Sequence, residues 1–309
     1  RRPAGICLKG EHRWPLRGHA GGPPALPEMA AALLSESGSS RPPMKRDLTI
    51  LGVFVQDSMA YRSQVTLWML TDIVPSIIMP FVWIAGLNGR TNIRGFGPAQ
   101  LVMYYLTMTF ISNFIVAHVQ WEMARDIKEG ILSKFLLYPF SYLRYQYLGN
   151  VAYRLMRCVL FLPFAVIWFV IFHRYMGVAA LGDLHVGYEF WLTLGLGHLV
   201  AFWFAAALGT LGFFFIETQA LYFGYYILLA VFSGQLAPYG LLPPGLRMVA
   251  EWTPFRYTLS FPLEVLNGRV HGDAFWTGVL FQAAWLALLW TLAQVGWRAG
   301  TKRYAGTGM

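Results

Sequence analysis

The chain has 309 residues, of which 56% are hydrophobic and 13% charged, with a formal net charge of +9. Soluble domains carry roughly 25% charged residues. Repeated apolar runs of about twenty residues, the length that crosses a bilayer, therefore exclude an ordinary globular core and predict an all-α integral membrane protein.

Residues 1–43 read as an atypical extension, rich in Gly, Pro and Arg and without apolar period; Arg1-Arg2 is followed by no apolar stretch of the kind a twin-arginine signal needs. The reading is a disordered or separate segment. From Lys45 to Arg62, Leu48, Leu51, Val55 and Met59 fall on one helical face and predict an amphipathic helix lying in the membrane interface. A first span follows over Val65–Leu87. It contains Asp72, an intramembrane acid and so a functional candidate, here assigned an interfacial hydrogen bond or ion pair. Pro75 and Pro80 predict a kink.

The second span is expected over Ala99–Gln120, with His118 near its end as an interface histidine. Arg125 to Leu136 then shows Ile127, Ile131 and Phe135 every fourth residue, with Leu132 and Leu136 beside them. Arg125, Asp126, Lys128, Glu129 and Lys134 fill other positions. The spacing predicts a short amphipathic helix, broken by Pro139. The tyrosines Tyr138, Tyr142, Tyr145 and Tyr147 follow, a residue type that gathers where protein passes from lipid to water. The third span is placed over Val151–Phe172, with Arg154 and Arg157 snorkelling to headgroups at its entry.

The fourth span, Phe190–Ile216, carries Gly195, Gly197, Gly209 and Gly212, read as packing faces where helices approach closely. Glu217 and Thr218 turn into a fifth span, Gln219–Pro238. Residues 239–273 are too long and apolar for a plain loop. Leu246–Trp252 suits a two-turn helix, and Phe255–Leu266 has the length of a re-entrant or interfacial piece. Arg256 and Glu264 are expected there to satisfy each other or backbone groups. Phe275–Trp297 forms the sixth span, before the basic residues Arg298, Lys302 and Arg303.

Six spans place both termini on one side. Over Met44–Met309, twelve lysines and arginines then fall with the termini and six on the opposite side, so the basic bias sets the termini in the cytoplasm. The charge thus describes topology, and nucleic acid is not expected as a partner. No GxxxxGK[ST] phosphate loop occurs, so no ATP site is expected on this chain. The two cysteines, Cys7 and Cys158, make no disulfide framework, and no metal-ligand spacing or catalytic constellation is apparent.

The run Arg125–Leu143, RDIKEGILSKFLLYPFSYL, resembles the cytoplasmic coupling segment of type 2 ABC exporter permeases. More narrowly, it is similar to a bacterial branch that carries an acidic or basic residue, Ile, a charged pair, Gly and then Leu-Leu-x-Pro-x-Ser. Ser233–Arg269, with its Leu-Pro-Pro, Pro-Phe-Arg-Tyr and closing Gly-Arg, is similar to the extracellular signature of that branch. The resemblance covers Met44 to about Arg303 and implies a permease domain over residues 44–309. It further implies a second permease subunit, in a homodimer or heterodimer, and separate ABC ATPase subunits that bind the ATP, in the bacterial cytoplasmic (inner) membrane. The N-terminal helix would lie beside the ATPase, and Arg125, Asp126, Ile127, Lys128, Glu129, Gly130, Ile131 and Phe135 would form the coupling helix.

The resemblance also nominates a translocation path from the second and fifth spans: Met103, Thr107, Phe110, Ile111 and Phe114 with Tyr222, Tyr225, Tyr226 and Leu229. Ordinary packing is the alternative for these aromatics. Uncharged, aromatic candidates suit a drug, lipid or glycolipid better than an ion. The competing reading of the whole chain is an ATP-independent polytopic protein, a secondary transporter or a lipid-handling membrane enzyme.

Overall fold

A computed structural model describes residues 43–60, 62–137, 140–173 and 184–304, and these are helical with no strand among them. In chain order the helices are α1 (Pro43–Ala60), α2 (Arg62–Gly86), α3 (Pro98–Ile115), α4 (Val119–Lys128), α5 (Leu132–Leu136), α6 (Tyr142–Phe172) and α7 (Tyr188–Thr210). They continue with α8 (Gln219–Phe232), α9 (Pro244–Trp252), α10 (Phe261–Leu266) and α11 (Asp273–Arg303). A 3₁₀ turn, Leu211–Phe213, follows α7, and a π-helical turn, Arg256–Ser260, precedes α10.

Among the described residues, four stretches are long and apolar enough to cross a membrane: Pro98–Lys128, Tyr142–Phe172, Tyr188–Phe213 and Asp273–Arg303. The other two expected spans coincide with α2 and α8, whose apolar stretches, Ile73–Gly86 and Gln219–Phe232, are shorter. Pro75 and Pro80 both lie inside α2.

The central helix is α7. It is apolar on all sides, as a buried helix should be, and α11, α4, α3 and the 256–266 segment all pack on it. Gly197, Ala201, Ala205 and Gly209, all buried, recur at every fourth position and so line one face. A Cβ on Gly197 would lie 2.6 Å from the Thr258 carbonyl oxygen, and one on Gly209 would lie 2.7 Å from Met123 Sδ. The packing role expected of the glycines thus holds for Gly197, Gly209 and Gly212, whereas Gly195 faces open space. Gln282 ties three elements together, because its buried Nε2 donates to the carbonyls of Thr193 at 3.0 Å and Tyr257 at 2.8 Å.

Several boundaries differ from those expected. The second span bends at residues 116–118 and resumes as α4. The fifth ends at Phe232 instead of Pro238, where Ser233 and Gly234 leave the helix; Gly234 has φ +89°. Tyr142, Tyr145 and Tyr147 lie in the first turns of α6, which begins at Tyr142 and not Val151. Arg154 and Arg157 are buried at 3% exposure each, and both guanidiniums lie near the Tyr153 ring. They do not snorkel: both side chains are packed inside the protein.

Candidate functional site

The segment expected to serve as the coupling helix is two helices with a corner between them. Gly130 has φ +73°, a conformation that favours glycine, and it ends α4 so that α5 leaves in a new direction. Pro139 and Tyr138 lie outside the described residues. The expected single amphipathic helix over Arg125–Leu136 is therefore corrected to a helical knuckle.

The apolar stripe of that knuckle faces inward. Ile127, Leu132 and Phe135 are buried, and Ile131 packs partly against the same cluster, with Met123, Phe202 and Ala293 as neighbours in it. Phe135 meets Tyr145 and Tyr142 at ring separations of 4.8 and 5.2 Å, and Phe54 of α1 meets Tyr145 at 4.8 Å. What remains outward is Lys128, Glu129, Lys134, Leu136 and Leu137, the last 86% exposed. Three charged residues and two leucines thus form the outward tip.

Polar links hold the knuckle to its surroundings. Asp126, buried, accepts a hydrogen bond from the Tyr142 hydroxyl at 2.7 Å, and its other oxygen faces Arg125 at 3.5 Å. Arg125 also pairs with Glu122. Gln146 Nε2 donates to the Tyr142 oxygen at 2.7 Å, and the Tyr142 ring stacks on Trp297 of α11 at 5.0 Å. Ser133 donates to the Tyr304 hydroxyl at 3.3 Å, Lys128 lies 3.5 Å from Glu217, and Arg144 pairs with Asp47 of α1. The knuckle, α1 and the carboxyl end of α11 therefore share one end of the molecule.

The bend above the knuckle has its own network. Around the Tyr226 oxygen of α8 lie His118 Nδ1 at 2.6 Å, Gln120 Nε2 at 2.7 Å and Trp121 Nε1 at 3.1 Å. The amide and indole N–H groups donate to the Tyr226 oxygen, and His118 Nδ1 shares a hydrogen bond with the same hydroxyl. Trp121 also packs edge-on against Tyr222 at 5.0 Å. His118 is thus an internal hydrogen-bond partner, joining the second transmembrane element to α8. Nothing in the residue spacing announced this junction.

The other path candidates are dispersed. Met103, Thr107 and Ile111 are buried on α3, and the Thr107 hydroxyl donates to its own helix. Phe110 is 36% exposed and meets Phe114 at 5.3 Å. Tyr222, Tyr225 and Leu229 are buried, and Tyr225 and Leu229 cluster with Phe255 and Phe204. Phe223, Ile227 and Leu228 occupy the exposed face of α8. Asp72 is on α2 by its backbone, and its side chain lies outside what the structure describes.

At the opposite end of the molecule, Arg256 and Glu264 pair at 3.1 Å, as the sequence suggested. Burial raises the Glu264 carboxyl, and Arg256 opposes that shift.

A family model described as ABC-2 family transporter protein matches residues 67–308. No curated protein matches the chain.

Proposed function

The chain belongs to the ABC-2 family of transporter proteins, and we propose that this membrane-spanning permease is the transport subunit of an ATP-driven exporter, with ATP bound and hydrolysed by separate ABC ATPase subunits. Four candidate spans and the family match make it a multi-pass membrane transport component. On our reading α2 and α8 complete six spans. The placement of α1, the knuckle and the end of α11 together supports that count, because an even number of crossings returns the chain to its starting side.

The observation that carries the coupling role is the knuckle itself. Ile127, Leu132 and Phe135 anchor it to the body of the permease, and Leu136, Leu137, Glu129 and Lys134 face outward. A rigidly seated corner with a mixed apolar and charged tip suits a docking element that a neighbour can push. We assign the neighbour as an ABC ATPase, with the knuckle and both termini in the cytoplasm of a bacterium and the chain in its inner membrane. The twelve-to-six basic bias supports this orientation.

Motion at the knuckle would reach the transport path through the bend, where His118, Gln120 and Trp121 hold Tyr226 of α8. A second permease subunit would complete the path, with the nominated residues of α3 and α8 near its wall. We place its substrate among hydrophobic or amphipathic molecules of the drug, lipid or glycolipid class. Co-expression with its ATPase, reconstitution, and measurement of ATP turnover over a panel of such compounds test the reading. An assembled complex stimulated by one class supports it; a chain that transports with no ATPase rejects it.

A further inference from the structure

The cleft at the end of the molecule away from the knuckle holds two arginines set for ligand recognition. Arg256 lies over the Tyr239 ring with 3.9 Å from guanidinium carbon to centroid, and Arg269 lies over the Phe96 ring at 3.7 Å. Stacking of this kind fixes the guanidinium plane and leaves its N–H edge free for planar, two-point binding of a carboxylate or phosphate. Arg256 donates to Glu264 Oε2 and Arg269 to the Gly95 carbonyl oxygen at 3.2 Å. Arg256 Nε is buried without a hydrogen-bond partner.

These residues line one cavity of about 270 Å³, together with Tyr104 and Glu264. The Tyr104 hydroxyl is engaged with the Gly234 carbonyl oxygen at 2.9 Å, and Glu264 with Arg256. Glu264 thus balances Arg256, and the cation that the cavity adds beyond that pair is Arg269. Arg247 adds positive charge nearby, 5.6 Å from the Tyr239 centroid.

A second cavity of about 230 Å³ shares Arg256 and Val270 with the first and is otherwise walled largely by Tyr257, Phe261 and Ala274. The two cavities adjoin at Arg256 and Val270, and the second extends past the Phe261 ring to Ala274, Thr277 and Gly278; each is below the roughly 300 Å³ at which pockets begin to enclose whole drug-sized ligands.

We propose that this paired cleft binds an anionic amphiphile, its phosphate or carboxylate head between Arg256 and Arg269 and an apolar portion in the cavity beside Phe261. The site is separate from the knuckle and does not depend on nucleotide coupling.

The test uses the purified full chain in a neutral detergent, titrated in three arms with dioleoylphosphatidylglycerol, glycerol 3-phosphate and dioleoylphosphatidylcholine, with the melting temperature as readout. A rise with the anionic lipid and not with phosphatidylcholine is expected, and Arg269→Gln should weaken the half-saturation concentration at least tenfold. Arg269→Lys keeps the charge and loses the fork, so it should fall between the two. A response to glycerol 3-phosphate as well would assign the source to the soluble head, and a response to the lipid alone would assign it to a membrane amphiphile. If Arg269→Gln yields no folded protein, the arms with the unaltered chain still decide. No shift with either anionic probe, equal shifts with phosphatidylcholine, or an unchanged half-saturation in Arg269→Gln would overturn the proposal.

Discussion

Tyr142, the first residue of α6, donates its hydroxyl hydrogen to the buried carboxylate of Asp126 on α4, 2.7 Å away. The bond closes the knuckle on the helix that follows it, and the same ring stacks on Trp297. Tyr142→Phe keeps the stack and removes the donor. Hydrogen bonds to charged groups contribute about 1.5–3 kcal/mol, so this variant should be less stable by about that amount. The measurement is the melting temperature of the purified chain beside Tyr145→Phe. Equal temperatures for Tyr142→Phe and the unaltered chain would show that Asp126 is satisfied some other way.

The inward stripe and the outward tip make opposite predictions for the same kind of substitution. Ile127→Asp puts a charge in an apolar cluster, where an unpaired carboxylate is strongly disfavoured, and should abolish the yield of folded protein. Leu137→Asp, at 86% exposure, should leave yield and melting unchanged and weaken retention of the ATPase about tenfold, equivalent to about 1.4 kcal/mol. Lys128→Ala should do much less, because an exposed pair such as Lys128 with Glu217 contributes about 0–1 kcal/mol. Full ATPase retention in Leu137→Asp would remove the tip from the docking surface.

Helices were legible in the sequence wherever an apolar run was long, since crossing a bilayer demands both length and composition. α11 and α7 fall close to where the runs lie. The junctions were less legible, because they depend on what meets what. Gly130 reads as one glycine among 31 until its φ is known. Arg154 and Arg157 look like snorkelling cations by position, yet α6 starts early enough to carry them into protein. The periodicity of Ile127, Ile131 and Phe135 was readable, but periodicity reports only that a face is apolar. It does not say whether that face meets the same chain or a partner. Gln282 gave no sequence signal, and Tyr226 was nominated for a transport path and not as the hub of a junction, since a lone amide or phenol in an apolar run gains meaning only from the carbonyls and donors around it.

Two neighbouring glycines of α7 should respond oppositely to alanine. At Gly197 the new methyl would meet the Thr258 backbone oxygen at 2.6 Å, and backbone cannot swing aside. Overpacking of this kind costs about 1–3 kcal/mol. At Gly195 there is nothing within 4 Å, and alanine gains about 0.5–1 kcal/mol over glycine inside a helix. Melting of Gly197→Ala below the unaltered chain and of Gly195→Ala at or above it is expected. Equal losses at both positions would contradict the packing of α7 against the 256–260 turn.

The orientation is open to direct labelling. With Cys7 and Cys158 changed to serine, single cysteines at Asn92 and Lys134, both exposed, should differ in access to an impermeant maleimide added to whole cells. Asn92→Cys should react, and Lys134→Cys should react only after the membrane is opened. The reverse pattern would put the knuckle outside and end the exporter assignment.

The bend offers the sharpest separation between packing and coupling. Tyr226→Phe removes the oxygen shared by His118, Gln120 and Trp121 and leaves those groups short of a partner. Each buried donor so abandoned costs about 1–3 kcal/mol, so melting should fall clearly. Tyr225→Phe, one residue away, should change little, because Tyr225 meets Phe204 and Phe255 through its ring. If the junction also carries motion from knuckle to α8, ATP turnover in the assembled complex should persist in Tyr226→Phe while substrate stimulation of it is lost. A variant destabilised but still fully stimulated would leave Tyr226 as a structural tie and remove the bend from the coupling route.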